Sequence, residues 1–117
     1  MSTRSIAIAA VALLVAGCGT GRDLALIIET EGDARASDVR LRIDDEVRLY
    51  GDVRDGRRIR ERDVMDGTLV ELHAANGGGG GAVIVRALVD GCELDRARCE
   101  GAGCTARLRI EVREACD

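Results

Sequence analysis

Apolar and polar residues alternate one by one over much of the chain, and this alternation restricts the fold more than any other feature. Residues 105–113 are the clearest case, with Ala106, Leu108, Ile110 and Val112 separated by charged residues. Successive side chains of a β-strand point to opposite faces, so a period of two predicts a strand with one buried face. The sequence therefore predicts an all-β fold.

Turn signals divide the chain into about seven short predicted strands. Asp44-Asp45 and Asp66-Gly67 mark turns, and Asp55-Gly56 predicts a two-residue hairpin with Val53 and Ile59 on opposite arms. The residues predicted to face inward are Leu24, Leu26 and Ile28; Val39, Leu41 and Ile43; and Val70, Leu72 and Ala74. The run 83–89 is apolar almost throughout and predicts a central strand. Seven strands are typical of a small immunoglobulin-like β-sandwich.

The core of this fold has to be built almost without aromatic side chains. The chain has one Tyr, no Phe and no Trp. In a domain of about 100 residues, burial of Val, Ile, Leu and Ala side chains exceeds the cost of lost chain entropy only by a narrow margin of free energy. Covalent cross-links would widen that margin.

The first 18 residues have the layout of a secretory signal. Arg4 precedes an uninterrupted apolar run from Ile6 to Ala16, and small residues lead into Cys18. The run is too short to span a bilayer. Leu14-Val15-Ala16-Gly17-Cys18 resembles the lipobox of bacterial lipoproteins.

The resemblance implies cleavage after Gly17 and a diacylglyceryl group and an acyl group on Cys18. Two or more acyl chains anchor a protein stably. Residues 1–17 are then an N-terminal signal helix, 18–22 the lipidated cysteine and a short tether, and 23–117 a single β-sandwich domain. The residue after Cys18 is Gly19 and not the Asp usual for inner-membrane retention, which favours the outer membrane, on its periplasmic side, in a cell with two membranes.

Setting Cys18 aside leaves an even number of cysteines, Cys92, Cys99, Cys104 and Cys116, in an exported chain. Two disulfides are favoured over zinc, because no CxxC is present and the single His is distant. A bridge between Cys104 and Cys116 is excluded if 105–113 is one extended strand. We favour 92–104 with 99–116, where 92–104 closes a loop. A 92–99 bridge, or an unpaired Cys116, stays open.

The net charge and the lack of catalytic motifs limit the classes of function that fit this sequence. The 17 basic residues are all arginines. Without Arg4, the chain has 16 arginines and 21 acidic residues. This balance argues against nucleic acid and against a cationic membrane-binding face. No catalytic motif, metal-ligand spacing or cofactor signature appears. The run from Gly77 to Gly81 predicts a flexible loop, and His73 is predicted to face outward.

Five arginines crowd the predicted hairpin: Arg54, Arg57, Arg58, Arg60 and Arg62. They would suit an anionic partner such as lipid phosphates, a wall polymer or an acidic protein face. Interleaved acids (Asp52, Asp55, Glu61 and Asp63) favour instead a solvated strand that protects a sheet edge.

Together these features predict a non-enzymatic lipoprotein of the cell envelope that acts as a binding or structural accessory module. Its expected contacts are with the membrane, through Cys18, and with an envelope protein or wall polymer. The alternative is a periplasmic inhibitor or ligand-binding lipoprotein that presents a disulfide-braced loop at 92–104.

Overall fold

The structure, a computed structural model, describes residues 21–116, which form eight β-strands and no helix. The strands are β1 (Arg22–Gly32), β2 (Ala36–Ile43), β3 (Glu46–Gly51), β4 (Arg57–Val64), β5 (Leu69–Asn76), β6 (Gly81–Val89), β7 (Cys92–Glu100) and β8 (Thr105–Glu111). The all-β prediction is confirmed, with one strand more than expected. The predicted signal helix, Gly17 and Cys18 lie outside the described residues.

Two antiparallel sheets of four strands pack face to face in a sandwich-like arrangement. The first sheet has the order β4-β1-β6-β7 and the second the order β3-β2-β5-β8. β6 is an inner strand of the first sheet, as its apolar run predicts. Of the seven connections between the described strands, β2–β3 and β6–β7 are hairpins within a sheet, and the other five cross between sheets. Among residues 21–116, none forms a helix long and apolar enough to cross a membrane.

Because the strands run alternately up and down, the connections collect at two ends of the sandwich. The entry pole is where the chain arrives at Gly21, and it holds turns 44–45, 65–68 and 90–91 and the C-terminal residues 112–116. The far pole holds the connections 33–35, 52–56, 77–80 and 101–104, which are joined by backbone hydrogen bonds.

The core lies between the sheets and is aliphatic, as the composition requires. The predicted inward residues of β1, β2 and β5 are buried, apart from Ile43, which is partly buried at the core edge. In β8, Ala106, Leu108 and Ile110 point inward, and Val112 follows them into the core beyond the end of the strand. The aliphatic core predicted from alternation is confirmed.

The segment expected to be a loop, 92–104, contains strand β7. It pairs with β6 from Val89–Cys92 to Ala82–Glu100. The sequence pattern hides this strand because the register shifts opposite Leu88, where Asp95 and Arg96 are exposed in succession. A bulge of this kind interrupts the period of two.

The predicted Asp55-Gly56 hairpin is wrong. A turn does form there, with Gly56 at a φ of +81° and Arg57 N donating to Arg54 O at 3.0 Å. However, β3 pairs with β2, whereas β4 pairs with β1 in the other sheet. The turn therefore carries the chain between sheets. The Asp44-Asp45 turn does close a hairpin, between β2 and β3.

Candidate functional site

Two disulfides are present, and their pairing differs from the one we favoured. Cys92 is bonded to Cys116 and Cys99 to Cys104, with Cα–Cα distances of 5.3 and 5.8 Å. β7 explains the difference, because it places Cys92 at the entry pole and Cys99 at the far pole. Each then meets the cysteine at the same end of β8. The exclusion of a 104–116 bridge is confirmed.

The five arginines expected on one hairpin are divided among three environments. Arg54 lies in the connection between β3 and β4 at the far pole. The guanidinium of Arg57 lies 5.6 Å from the centre of the Tyr50 ring, a cation–π distance. Arg58, Arg60 and Arg62 are exposed on the outer face of β4, an edge strand.

The acids that interleave with these three arginines in the sequence form no ion pair with them among residues 21–116. Glu61 points the opposite way and forms an ion pair with Arg48 of β3, which links the edge strands of the two sheets. Asp55 accepts a hydrogen bond from Thr30 N at 2.8 Å, and Asp52 lies 4.0 Å from Arg35. Among residues 21–116, Arg58, Arg60 and Arg62 have no ion-pair or hydrogen-bond partner.

These arginines border a shallow groove of about 220 Å³ on the outer face of the first sheet. Its floor includes Ala25 and Leu88, which are cross-strand neighbours of each other, and Ala25 is also the neighbour of Arg60. Asp23 and Gly91 close the groove at the entry pole. We call it the arginine groove. It combines an apolar floor with unpaired guanidinium groups.

The rest of this outer face is covered by its own side chains. Ile27 and Ile84 point away from the core and are nevertheless only 6% and 7% exposed. Long charged side chains bury such residues under their aliphatic stems. The covering ion pairs join Arg86 with Glu29 and Glu93, Arg96 with Glu93, and Arg98 with Glu31 and Glu100. Hydrogen bonds from their arginine partners lower the pKa of the Glu31 and Glu93 carboxyls.

The outer face of the second sheet is different, because arginines and exposed aliphatic residues share it. Two cross-strand rows cover it: Val47, Arg42, Glu71 and Arg109 in one, and Leu49, Arg40, His73 and Arg107 in the other. We call these eight residues the arginine–aliphatic face. Val47 and Leu49 are 58% and 75% exposed. Four of the eight residues are arginines and one is a glutamate.

Three of the four arginines have partners on this face or beside it. Arg42 Nε donates to Asp44 O at 2.9 Å, and Arg109 Nε lies 3.8 Å from Glu71 Oε1. Arg40 donates to both carboxylate oxygens of Asp38, which lowers the pKa of that carboxyl. His73 faces outward, as predicted, and its Nε2 lies 3.9 Å from Glu71 Oε2. Arg107 has no partner among residues 21–116. The face presents arginine and exposed aliphatic side chains side by side on paired strands.

The glycine run forms the predicted connection between two strands, β5 and β6, but hydrogen bonds hold it in place where flexibility was predicted. Backbone hydrogen bonds join Gly77 N to Arg35 O, Gly79 N to Asp33 O and Asp33 N to Gly80 O, at 2.8–2.9 Å. A Cβ added at Gly78 would lie 2.5 Å from Asp33 O. Here glycine permits close packing of neighbouring backbones. The sequence signal for this role is the run of five glycines itself, which permits close backbone packing as well as flexibility.

No group of three or more His, Cys, Asp or Glu side chains within residues 21–116 is arranged to hold a metal ion. The carboxyls whose pKa is shifted are Glu31, Asp38, Asp66, Asp90 and Glu93, and in each the pKa is lowered by hydrogen bonds. Lowered carboxyl pKa values on an open surface accompany ion pairing and give no general acid at neutral pH.

Comparison with known proteins adds no relative: no family model matches this chain, and neither the curated proteins nor the solved structures contain a significant match.

Proposed function

We propose that this chain is a lipoprotein of the cell envelope, held at the membrane by lipid on Cys18 and acting as a non-enzymatic binding module. The lipobox-like sequence 14–18 supports the anchor. The two disulfides support an oxidising compartment outside the cytoplasm. Gly19 favours the outer membrane where two membranes are present.

The observation that carries the binding function is the arginine–aliphatic face. Exposed Val47 and Leu49 lie beside Arg42 and Arg40 on a strand pair fixed by the sheet. Arginine and apolar side chains that exclude water together are typical of protein interfaces. An acidic envelope protein is the partner that this composition fits.

The inhibitor alternative has less support from the geometry. It requires a projecting loop, whereas β7 occupies most of 92–104 and the Cys99–Cys104 bridge encloses only residues 100–103. Those residues are bound to the rest of the far pole through Gly101 N and Gly103 N.

We also propose that the sandwich belongs to the immunoglobulin-like group. β1 pairs with β4 in one sheet and β2 with β5 in the other, so both pairs join strands three apart in sequence. The pairs B–E and C–F of the immunoglobulin fold have the same spacing, which supports the proposal. Hairpin β6–β7 lies beside β1 in the first sheet.

The anchor is tested by the intact mass of the protein extracted from membranes, together with labelling by a fatty acid. We expect a mass that corresponds to residues 18–117 with three acyl chains or two, and label that disappears in Cys18→Ser. The double variant Cys99→Ser/Cys104→Ser is the control and should keep its label. An unmodified Cys18 in the wild-type chain would refute the lipoprotein assignment.

The binding function is tested by photo-crosslinking in the native envelope. A photoreactive residue at position 49 should give one discrete protein adduct, which weakens in Arg42→Gln. The same residue at position 102, exposed at the far pole, is the matched control and should give none. Equal adducts at both positions, or none at position 49, would refute the assignment of the face. Adducts with wall polymer would assign a structural role instead.

A further inference from the structure

The arginine groove has an orientation that the chain's entry point reveals. Gly21, the first described residue, packs against Asp63, and a Cβ added to it would lie 2.4 Å from the Asp63 Cα. Asp63 is adjacent to Arg62, which borders the groove. The end of the groove that Asp23 and Gly91 close is therefore at the entry pole.

The chain length before Gly21 brings this end of the groove to the membrane. Three Cα–Cα steps separate Cys18 from Gly21, so the two Cα atoms are at most about 11 Å apart. Lipid on Cys18 would hold the entry pole beside the headgroups. This step rests on the proposed lipidation.

The groove has the chemistry of an anionic lipid site. Guanidinium groups bind phosphate oxygens through paired N–H donors. Arg58, Arg60 and Arg62 donate no hydrogen bond to a carboxylate within residues 21–116. Ala25 and Leu88 offer an apolar floor to the glycerol and upper acyl segments. The lining has two acidic residues, Asp23 and Glu61. Glu61 forms an ion pair with Arg48, and Asp23 forms none within the described chain.

From this arrangement we infer that the arginine groove binds the phosphate-bearing headgroup of an anionic lipid in the membrane to which the protein is anchored. The net negative charge of the chain does not oppose this, because strand alternation turns Glu61 inward and leaves three arginines on one face. A bound headgroup would fix the sandwich with the outer face of its first sheet toward the bilayer. The arginine–aliphatic face of the second sheet would then point away from the membrane.

The test uses the full chain, purified in neutral detergent and titrated with phosphatidylglycerol while native mass spectrometry counts bound lipid. Phosphatidylcholine with the same acyl chains is the neutral comparison. We expect at least tenfold preference for phosphatidylglycerol. Arg60→Gln/Arg62→Gln should weaken its binding about twenty-fivefold, since each arginine near an anionic surface contributes about fivefold in affinity.

The matched control is Arg35→Gln/Arg54→Gln, which removes two exposed arginines at the far pole and should change binding less than twofold. Equal losses in both double variants, or equal binding of the two lipids, would overturn the inference. Displacement of phosphatidylglycerol by millimolar inorganic phosphate would also overturn it, because the site would then recognise free phosphate. The same spectra report the lipid on Cys18. A chain without that lipid which still prefers phosphatidylglycerol would refute the anchor and support the groove.

Discussion

Asn76 Nδ2 donates a hydrogen bond to Gly101 O at 2.9 Å and thereby joins the glycine run to the Cys99–Cys104 turn. The same amide nitrogen donates to Gly79 O at 3.0 Å. Its Oδ1 accepts from Gly78 N and Arg35 N at 2.9 and 3.1 Å. One buried carboxamide therefore fixes three connections that come from distant parts of the sequence.

Replacing Asn76 by Ala should destabilise the domain by about 3 kcal/mol, because several buried backbone groups would lose their partner at once. Asn76→Asp should cost at least as much, since it removes both donors and buries a charge. Urea unfolding measures the change. Ser37→Ala is the control: it removes one half-buried hydroxyl bond, 3.3 Å to Ala75 O, and should cost under about 1 kcal/mol. Similar losses for Asn76→Ala and Ser37→Ala would show that Asn76 does not organise this pole.

Two adjacent glycines should respond in opposite ways to alanine. Gly81 has a φ of +131°, and a Cβ there would lie 2.0 Å from Glu31 O, so Gly81→Ala should destabilise by more than about 3 kcal/mol. A Cβ at Gly80 meets no atom within 4 Å, so Gly80→Ala should be neutral or stabilise by up to about 1 kcal/mol. Equal thermal midpoints for the two variants would contradict the packing described for this loop.

Alternation was enough to predict the all-β fold and the buried faces of strands such as β5, because burial of Leu72 follows from its position alone. It failed at Asp95 and Arg96, where a bulge exposes two successive residues and conceals β7. The predicted disulfide pairing was wrong for the same reason, since the pairing depends on which pole each end of β7 reaches. The role of Asn76 could not be predicted, because its partners lie on three separate connections. The inward facing of Glu61 follows from alternation around Ile59, but the arginine groove also requires the pairing of β4 with β1, which places Ala25 beside Arg60.

The disulfide pairing can be read directly from an unreduced tryptic digest. Cleavage after each arginine places Cys99 and Cys104 together in peptide 99–107, and Cys92 and Cys116 in peptides 87–96 and 114–117. The observed pairing predicts one peptide with an internal bridge and one linked pair. The pairing 92–104 with 99–116 would join all three peptides, and that mass would contradict the structure. Reduction should release 87–96 and 114–117 as the internal control.

The two bridges should contribute unequally to stability. In the loop-closure model, Cys92–Cys116, with a sequence separation of 24, stabilises by about 3.5 kcal/mol. Cys99–Cys104, with a separation of 5, stabilises by about 2 kcal/mol. Cys92→Ser/Cys116→Ser should therefore lower the free energy of unfolding more than Cys99→Ser/Cys104→Ser does. The reverse order would mean that native-state contacts at the far pole outweigh chain entropy.

Arg22 couples stability to pH at the entry pole. Its Nε lies 2.9 Å from Asp66 Oδ1 and its Nη1 3.2 Å from Asp90 Oδ2, and hydrogen bonding from it holds the pKa of Asp66 below the ordinary value of 3.8. A carboxyl whose pKa is lower when folded stabilises the fold above its unfolded pKa, and this contribution is lost as the pH falls through the folded pKa. Unfolding free energy should thus decline below about pH 4. Arg22→Gln should make that decline shallower, whereas Arg107→Gln, which removes an arginine without an ion pair in the described chain, should leave it unchanged. Parallel pH profiles for wild type and Arg22→Gln, measured by urea unfolding, would show that the ion pairs of Arg22 do not affect stability.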